Sequence, residues 1–250
     1  MSLPPPVVAP DRVEDELVSR GFAVLDAAGL RRRVGAAQEA LAAWRTTWND
    51  LPADAYLRDG GRYRRRRHGS FVVDGQRVEK VAHRAHWQPV EYNALHGGIE
   101  RWFEPIDPAV TDSVAWTCLL VGLGRLFSSV KPVSRWYVEA HPFRIDTTDG
   151  IGRPTPEGAH RDGVDFVAVI LIDRVDVKGG ETRVFEAAGP AGVRFTLVEP
   201  FSVLLLDDAR VVHESTPIQP LAPGAHRDTL VLTYRSGGFQ DAHAPRTEAS

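Results

Sequence analysis

The second half of the chain alternates short apolar segments with turn residues, and this pattern limits the fold more than any other feature of the sequence. Segments typical of strands cover residues 134–145, 164–172, 181–185, 193–198, 201–206 and 228–235. The turns between them contain Gly179-Gly180, Gly189-Pro190, Asp207-Asp208 and Pro223-Gly224. Many short strands separated by such turns are typical of a sandwich or barrel. We therefore predict a mainly β fold whose core, about residues 131–240, is a two-layered jelly roll.

The first 130 residues show helical patterns and one hairpin, which we expect to flank the jelly roll. A short first helix should end at Gly21, and residues 27–48 carry apolar residues at helical spacing. Asp74-Gly75 lies between two alternating runs within residues 61–81 and predicts a hairpin. The apolar window 114–123 predicts a core helix, because it is too short to span a bilayer.

Size and composition are those of an ordinary globular protein. The chain has 250 residues, of which 43% are apolar and 25% charged. We expect one catalytic domain at 11–240, with a flexible arm at 1–10 and a flexible tail at 241–250. The net charge of −3 argues against nucleic acid or a membrane as a partner. Cys118 is the sole cysteine, which excludes an internal disulfide and fits a reducing compartment. We expect a cytoplasmic protein that binds a small molecule, and homodimer formation is left open.

Two histidines and one aspartate have the pattern of a metal site. His160-Arg161-Asp162 is followed 51 residues later by His213. Two histidines and a carboxylate can hold Fe(II) on one face and leave its other positions open. On a strand edge, residues i and i+2 project to the same side, so His160 and Asp162 can reach one ion. A jelly roll can bring the segment near 160 beside His213. These three residues are the predicted metal ligands and catalytic residues.

A second copy of the pattern serves as a control on this interpretation. His226-Arg227-Asp228 is also His-Arg-Asp, but the one histidine after it, His243, lies in a polar, proline-containing tail. By contrast, His160 follows a turn-rich approach and precedes the apolar run 164–172. The context favours the first motif.

Arg227 is the predicted anchor of a co-substrate. Iron in such a site usually needs an electron donor besides O2, and 2-oxoglutarate fills that role. Its distal carboxylate calls for a planar, bidentate cation, which favours arginine over lysine. Arg227 lies 14 residues after His213 and opens a strand on which Thr229 shares its face. We predict that Arg227 and Thr229 bind 2-oxoglutarate. The alternative is a strand-edge arginine in an ion pair with Asp228.

Three charged residues are candidates for binding the substrate. Arg67 ends the run Arg64-Arg65-Arg66-Arg67, which splits between two strand faces and so cannot form one continuous basic patch. An arginine of this run could reach inward to an anionic substrate group, or the run could be a solvated face. Arg144 and Asp165 are the other candidates, with a buried ion pair and a turn cap as their alternatives. We expect the remaining histidines not to be metal ligands, namely His68, His83, His86, His96 and His141.

Several further motifs carry a family resemblance. They are residues 63–71, Gln88 with Tyr92-Asn93 and Gly97-Gly98, residues 143–145, 156–166 and 179–182, and the segment around His213. With these motifs the chain resembles the bacterial Fe(II)/2-oxoglutarate dioxygenases that include L-isoleucine dioxygenase and related free amino-acid hydroxylases. Residues 156–166 are the most specific part. One departure is Pro142, which stands where a glutamine is expected before Phe143-Arg144.

The resemblance implies a double-stranded β-helix fold, with His160, Asp162 and His213 as iron ligands and Arg227 as the 2-oxoglutarate anchor. It also implies C–H hydroxylation of a small substrate, most readily a free L-amino acid. Related halogenases leave the ligand position of Asp162 open for chloride, so a carboxylate there favours hydroxylation. The alternatives are a metal-dependent cupin-type isomerase, a dioxygenase that does not use 2-oxoglutarate, or a non-catalytic jelly-roll domain that binds a metal or ligand. The first two would keep the triad but would not need Arg227, and the open coordination of the triad argues against a purely structural metal.

Overall fold

The computed structural model describes residues 3–93, 95 and 97–242. The helices are α1 Val13–Arg20, α2 Ala27–Val34, α3 Gln38–Ala42, α4 Pro108–Thr111 and α5 Val114–Val130, with 3-10 turns at Pro10–Arg12 and Ala43–Asp50. The strands are β1 Phe22–Leu25, β2 Arg64–Arg66, β3 Gly69–Asp74, β4 Arg77–Lys80, β5 Arg135–Asp146, β6 Phe166–Val175, β7 Val177–Gly179, β8 Thr182–Glu186, β9 Gly192–Phe195, β10 Val203–Asp207, β11 Val211–Ser215, β12 Ile218–Pro220 and β13 His226–Arg235.

The strands form one large antiparallel sheet and two small ones. The large sheet has the order β1-β10-β6-β13-β5-β3-β4, and β2 pairs with one part of β5. The small sheets have the orders β11-β8-β9 and β12-β7. This arrangement confirms the predicted mainly β jelly roll.

Alternation along the strands gives the large sheet two different faces. On β6, Ala168 and Ile170 pack into a core that the helices cover, whereas Val167 and Leu171 pack into a second core. The second core also contains Val184 of β8, so it lies between the large sheet and the small β11-β8-β9 sheet. The helices therefore support one face of the large sheet, as predicted, and the opposite face is free to carry a site.

The helix predicted over residues 27–48 is in fact two helices and a 3-10 turn. The break lies at Gly35, which has a left-handed φ of 71° and whose amide donates to the carbonyl of Arg31. Glycine adopts this conformation without strain and so ends α2. The apolar spacing continues past the break because Leu41, Trp44 and Trp48 enter the same core as Leu30. Periodicity alone therefore suggested one continuous helix.

The segment before α1 runs beside the sheet. Val7 forms a parallel bridge with Val24, and the carbonyl of Leu3 accepts from the amide of Thr196 at 3.0 Å. That residues 1–10 form a flexible arm stays a prediction, and most of the predicted flexible tail at 241–250 lies outside the described residues. No helix in the described part of the chain is long and apolar enough to cross a membrane.

The predicted hairpin is confirmed in its second half. β3 and β4 pair around Asp74-Gly75, with Asp74 opposite Arg77. The arginine run is not part of this hairpin, because β2 pairs with β5 and places Arg64 opposite Ile145 and Arg66 opposite Phe143.

Candidate metal centre and cavity

A two-residue bridge brings the two predicted histidine ligands together. The amide of His160 donates to the carbonyl of His213 at 3.1 Å, and the amide of His213 donates back at 3.0 Å. The bridge joins the segment before β6 to β11, which pairs with β8 at the edge of the jelly roll. The two imidazole rings consequently lie on one side of the bridge, with centroids 4.6 Å apart.

Asp162 completes the group. One carboxylate oxygen lies 3.9 Å from Nε2 of His160, and the other lies 4.0 Å from Nε2 of His213. One donor atom from each of the three residues falls within 4.8 Å of the others. Separations near 4 Å do not exceed twice a metal–ligand bond of roughly 2.1 Å, so one ion can reach all three.

A buried carboxylate fixes the loop that carries Asp162. The side chain of Asp208 is fully buried and accepts from the amides of Asp162, Gly163 and Val164 at 3.0, 2.8 and 3.1 Å. Burial raises the pKa of Asp208 to about 6, and the nearby Asp162 carboxylate acts in the same direction. Gly163 has a φ of 74°, and a Cβ there would lie 2.4 Å from the ring of Tyr92. The loop therefore requires glycine at 163 and an acceptor at 208.

Replacing Asp208 by asparagine should weaken Fe(II) binding about 10- to 100-fold, the usual cost of losing a residue that orients a ligand. Asparagine keeps the shape but offers one acceptor oxygen instead of two, so an amide of the loop loses its partner. An anaerobic Fe(II) titration measures the effect. Asp207→Asn is the matched control, since Asp207 accepts from Ala209 in its own turn. Equal Fe(II) affinity in the two variants would contradict the role of Asp208.

Hydrogen bonds orient two of the ligands from outside. Nδ1 of His160 lies 3.1 Å from the carbonyl of Gly158, which turns Nε2 toward Asp162 and His213. Nε2 of Gln88 donates to Asp162 at 3.3 Å. Burial and the neighbouring His160 hold the pKa of His213 well below its usual value, so His213 is neutral and has a lone pair to give. Burial lowers the pKa of His160, but the carboxylates of Asp162 and Glu157 outweigh it and raise the pKa overall.

The triad opens into a cavity of about 130 Å³. Two imidazole nitrogens and one carboxylate on one side of an ion, with the other side facing a cavity, fit Fe(II) with open positions. The donors present thus suit the metal that the sequence predicts.

Arg227 faces the same cavity with unused hydrogen-bond donors. Along β13, Arg227, Thr229, Val231 and Thr233 all line the cavity, as alternation requires. Arg227 is 3% exposed, and its Nε and Nη2 have no hydrogen-bond partner among the described residues. Burial lowers its pKa to about 10, and Arg174 contributes, yet the group stays cationic at neutral pH. Asp228 instead pairs with Arg144 through two bonds of 2.8 and 2.7 Å, so the alternative ion pair of Arg227 is absent.

Comparison with known proteins gives the same answer as the geometry. The model of the family described as 2OG-Fe dioxygenase matches residues 45–233. The chain belongs to this 2OG-Fe dioxygenase family.

Solved structures agree. The dioxygenase is 56% identical to a bsmA homologue from Methylobium petroleophilum PM1, with a TM-score of 0.90 over 94% of this chain and 96% of that one. IDO from Bacillus thuringiensis is 16% identical, with a TM-score of 0.74 over 92% and 97%. The Fe(II)/α-ketoglutarate-dependent dioxygenase TqaL is 20% identical, with a TM-score of 0.68 over 90% and 86%. At these two lower identities the likeness shows the fold alone. The search of curated proteins found no match.

The three predicted substrate residues of the dioxygenase lie outside the cavity. Phe143 and Ile145 line the cavity from one face of β5. Arg144 lies on the other face of that strand and pairs with Asp228. Asp165 accepts from Lys131 and from the amide of Ser236. Arg144 thus forms the ion pair considered as its alternative, whereas Asp165 forms an ion pair with Lys131 and hydrogen bonds to Ser236 and does not cap a turn.

Arg67 also points away from the cavity. It follows directly after β2, where successive side chains alternate between two faces, and Arg66 occupies the face toward the cavity. Its guanidinium donates to the carbonyls of Pro105 and Asp50 and pairs with Glu104. Arg64 and Arg66 do line the cavity and are buried. The inward-pointing arginines of the run are therefore these two.

Other cavity residues had no role assigned from sequence. They are Gln88, Asn93, Arg101, Glu139 and Gln240, together with His86 and His141. Glu139, His141, Phe143 and Ile145 are spaced two residues apart on β5 and so share its cavity face. Knowing the orientation of any one of them would have predicted the orientation of the others. Arg101 and Gln88 lie in an irregular segment without periodicity. Pro142, the residue that departs from the family pattern, does not line the cavity.

The histidines outside the triad have varied surroundings. His68, His86 and His141 form a buried group with Glu139, whose donor atoms also fall within 4.8 Å of one another. His83 bonds to the carbonyl of Phe103. His226 of the second motif bonds to the carbonyl of Gly224. His96 and His243 lie outside the described residues. That these histidines are not metal ligands stays a prediction.

Proposed function

We propose that this dioxygenase hydroxylates a C–H bond of a small substrate, most readily a free L-amino acid with an aliphatic side chain. The observation that supports this is that one cavity contains the triad, Arg227 and further charged groups of both signs, among them Arg66 and Glu139. Such a lining suits a small zwitterion. The resemblance of residues 156–166 to the free amino-acid hydroxylases points to the same substrate class.

In this proposal each group of residues has a separate task. His160, Asp162 and His213 would hold Fe(II), and Arg227 with Thr229 would hold the distal carboxylate of 2-oxoglutarate. Bound iron would activate O2, so that one of its oxygen atoms enters the substrate C–H bond and the other enters the succinate that 2-oxoglutarate yields with release of CO2. The side chains of β5 and β13 that line the cavity would hold the substrate in one orientation beside the metal site. Since Asp162 supplies a carboxylate ligand, hydroxylation is favoured over halogenation.

A substrate panel tests the proposal. Purified protein with Fe(II), 2-oxoglutarate and O2 is given each free L-amino acid, and both succinate release and a product heavier by one oxygen atom are measured. We expect at least one aliphatic amino acid to give product in proportion to succinate. N-acetylated amino acids, short peptides and oligonucleotides are the comparison set. Coupled product from that set and from no free amino acid would show that the proposed substrate class is wrong.

A further inference from the structure

The cavity contains a second set of buried arginines besides Arg227. Arg66 is 3% exposed and Arg101 is 1% exposed, and both line the cavity. The guanidinium of Arg66 lies between two aromatic rings, 3.9 Å from the centroid of Phe103 and 4.4 Å from that of Phe143. Such stacking fixes the plane of the guanidinium while its edge stays free to donate hydrogen bonds.

Neither guanidinium is neutralised by an ion pair. Arg66 donates to Nδ1 of His141 at 2.7 Å, and Arg101 donates to Oε1 of Gln88 at 2.8 Å. Both acceptors are neutral, and within the described part of the chain no carboxylate lies within ion-pair distance of either arginine. Nε of Arg66 and Nε of Arg101 are buried without any partner. Their neighbour Arg64 differs, since it has a buried ion pair with Asp54 at 2.7 Å.

Burying these cations without a close ion pair is costly. Burial and the neighbouring arginines lower the pKa of Arg66 well below its usual value, and burial with Arg64 lowers the pKa of Arg101 to about 10, although the more distant Asp54 and Glu139 act in the opposite direction on both. Arg227 has the same properties: burial, unused donors and a lowered pKa. In Arg227 these properties mark a carboxylate-binding position, so the same argument applies to Arg66 and Arg101.

The strand register separates the two cationic positions. Ile145 lies between Arg64 and Arg227 in one cross-strand row, and Phe143 lies between Arg66 and Thr229 in the next. Two strand spacings correspond to about 10 Å, so the two sets of arginines flank an apolar strip of β5. Gln88 links the second set to the metal, because it accepts from Arg101 and donates to Asp162. An anion at Arg101 is therefore one side chain away from the metal ligands.

We propose that Arg66 and Arg101 form a second carboxylate subsite, which binds the carboxylate of the substrate to be oxidised while Arg227 binds 2-oxoglutarate. The subsite rests on the proposed function in that the substrate is taken to be an acid. The apolar strip of Phe143 and Ile145 then contacts the aliphatic part of the substrate beside the metal. Substrates without the carboxylate are selected against, because they leave two buried guanidinium groups without an anion.

The donor atoms of the neighbouring group His68, His86, Glu139 and His141 are close enough together to hold a cation, but the contacts of this group disfavour one. Arg66 occupies the Nδ1 lone pair of His141, and Arg84 donates to Glu139 at 3.3 Å. A metal would have to displace both bonds and would lie beside two positive charges. These contacts make the region suitable for an anion.

Binding in the absence of O2 tests the subsite without relying on turnover. The Fe(II)- and 2-oxoglutarate-loaded protein is titrated calorimetrically with L-leucine, with 4-methylpentanoate, which lacks the amino group, and with L-leucinamide, which lacks the carboxylate. We expect the two acids to bind and the amide to bind at least 10-fold more weakly. Arg66→Lys and Arg101→Lys should each weaken the acids about 10- to 150-fold, the loss of one charge-assisted hydrogen bond. The affinity for 2-oxoglutarate should stay the same, which also shows that each variant is folded.

Arg65→Lys is the matched control, because Arg65 lies on the same strand but pairs with Asp146 outside the cavity. It should leave every titration unchanged. Acids that bind both cavity variants as tightly as the wild type, or an amide that binds as well as its acid, would overturn the subsite. So would a second equivalent of bound Fe(II) that disappears in Glu139→Gln. Binding of 4-methylpentanoate that depends on Arg66, in a protein that turns over no free amino acid, would uphold the subsite and reject the proposed substrate class.

Discussion

Changing His160 or His213 to alanine should reduce succinate release to background and weaken Fe(II) binding strongly. Each change removes one of three protein ligands, and the two that remain do not form the facial set that Fe(II) needs. The fold should persist, because the bridge between the two segments consists of backbone hydrogen bonds and the two apolar cores do not include either imidazole. Turnover, an anaerobic Fe(II) titration and circular dichroism measure the three effects.

His226→Ala is the control for this result. His226 belongs to the second His-Arg-Asp motif and bonds to the carbonyl of Gly224, away from the triad. The His226→Ala variant should bind Fe(II) as tightly as the wild type. Near-normal Fe(II) affinity and activity in both His160→Ala and His213→Ala would refute the metal assignment.

Exchanging Arg227 for lysine should raise the apparent KM for 2-oxoglutarate about 10- to 150-fold. Lysine keeps the charge but loses the planar pair of donors, and losing one charge-assisted hydrogen bond costs about 1.5–3 kcal/mol. Fe(II) binding should be nearly unchanged, since Arg227 is not a ligand. Thr229→Val should give a smaller rise, because a neutral hydroxyl contributes a weaker bond.

Arg144→Lys is the matched control for Arg227→Lys. Arg144 lies opposite Asp228 on the neighbouring strand and forms a bidentate ion pair with it outside the cavity. Its replacement should lower the stability of the protein without changing the KM for 2-oxoglutarate. If Arg227→Lys leaves that KM as it is in the wild type, the co-substrate is anchored by some other group.

Strand-level properties of this molecule could be predicted from its sequence because they depend on neighbouring residues. Alternation places Arg227 and Thr229 on one side of β13, and the apolar run after Asp162 becomes β6. The sequence also shows a glycine at position 35, where α2 ends, but the apolar spacing on either side of it favoured one helix. There the local signal of the glycine was the correct one.

The substrate side of the cavity depends on contacts between distant parts of the chain. Alternation divides Arg64 through Arg67 into two pairs but does not say which pair faces inward. That choice follows from the pairing of β2 with β5, which are about 80 residues apart (Arg65 opposite Arg144). Arg101 lies in a segment with neither helical nor strand periodicity, and it is placed by a bridge to His86. Its burial could not have been inferred from its neighbours in sequence.

The two faces of β13 have a consequence for how this enzyme can change. Thr229, Val231 and Thr233 touch the cavity, whereas Leu230, Leu232 and Tyr234 belong to the helix-covered core. Side chains on opposite faces of a strand do not contact each other, so their mutational effects should be nearly additive. A mutant library confined to Val231 and Thr233 can therefore explore new substrates, while Leu230, Leu232 and Tyr234 preserve folding and Arg227 and Thr229 keep their role toward 2-oxoglutarate. Selection for a new specificity and selection for stability thus act on separate residues of the same strand.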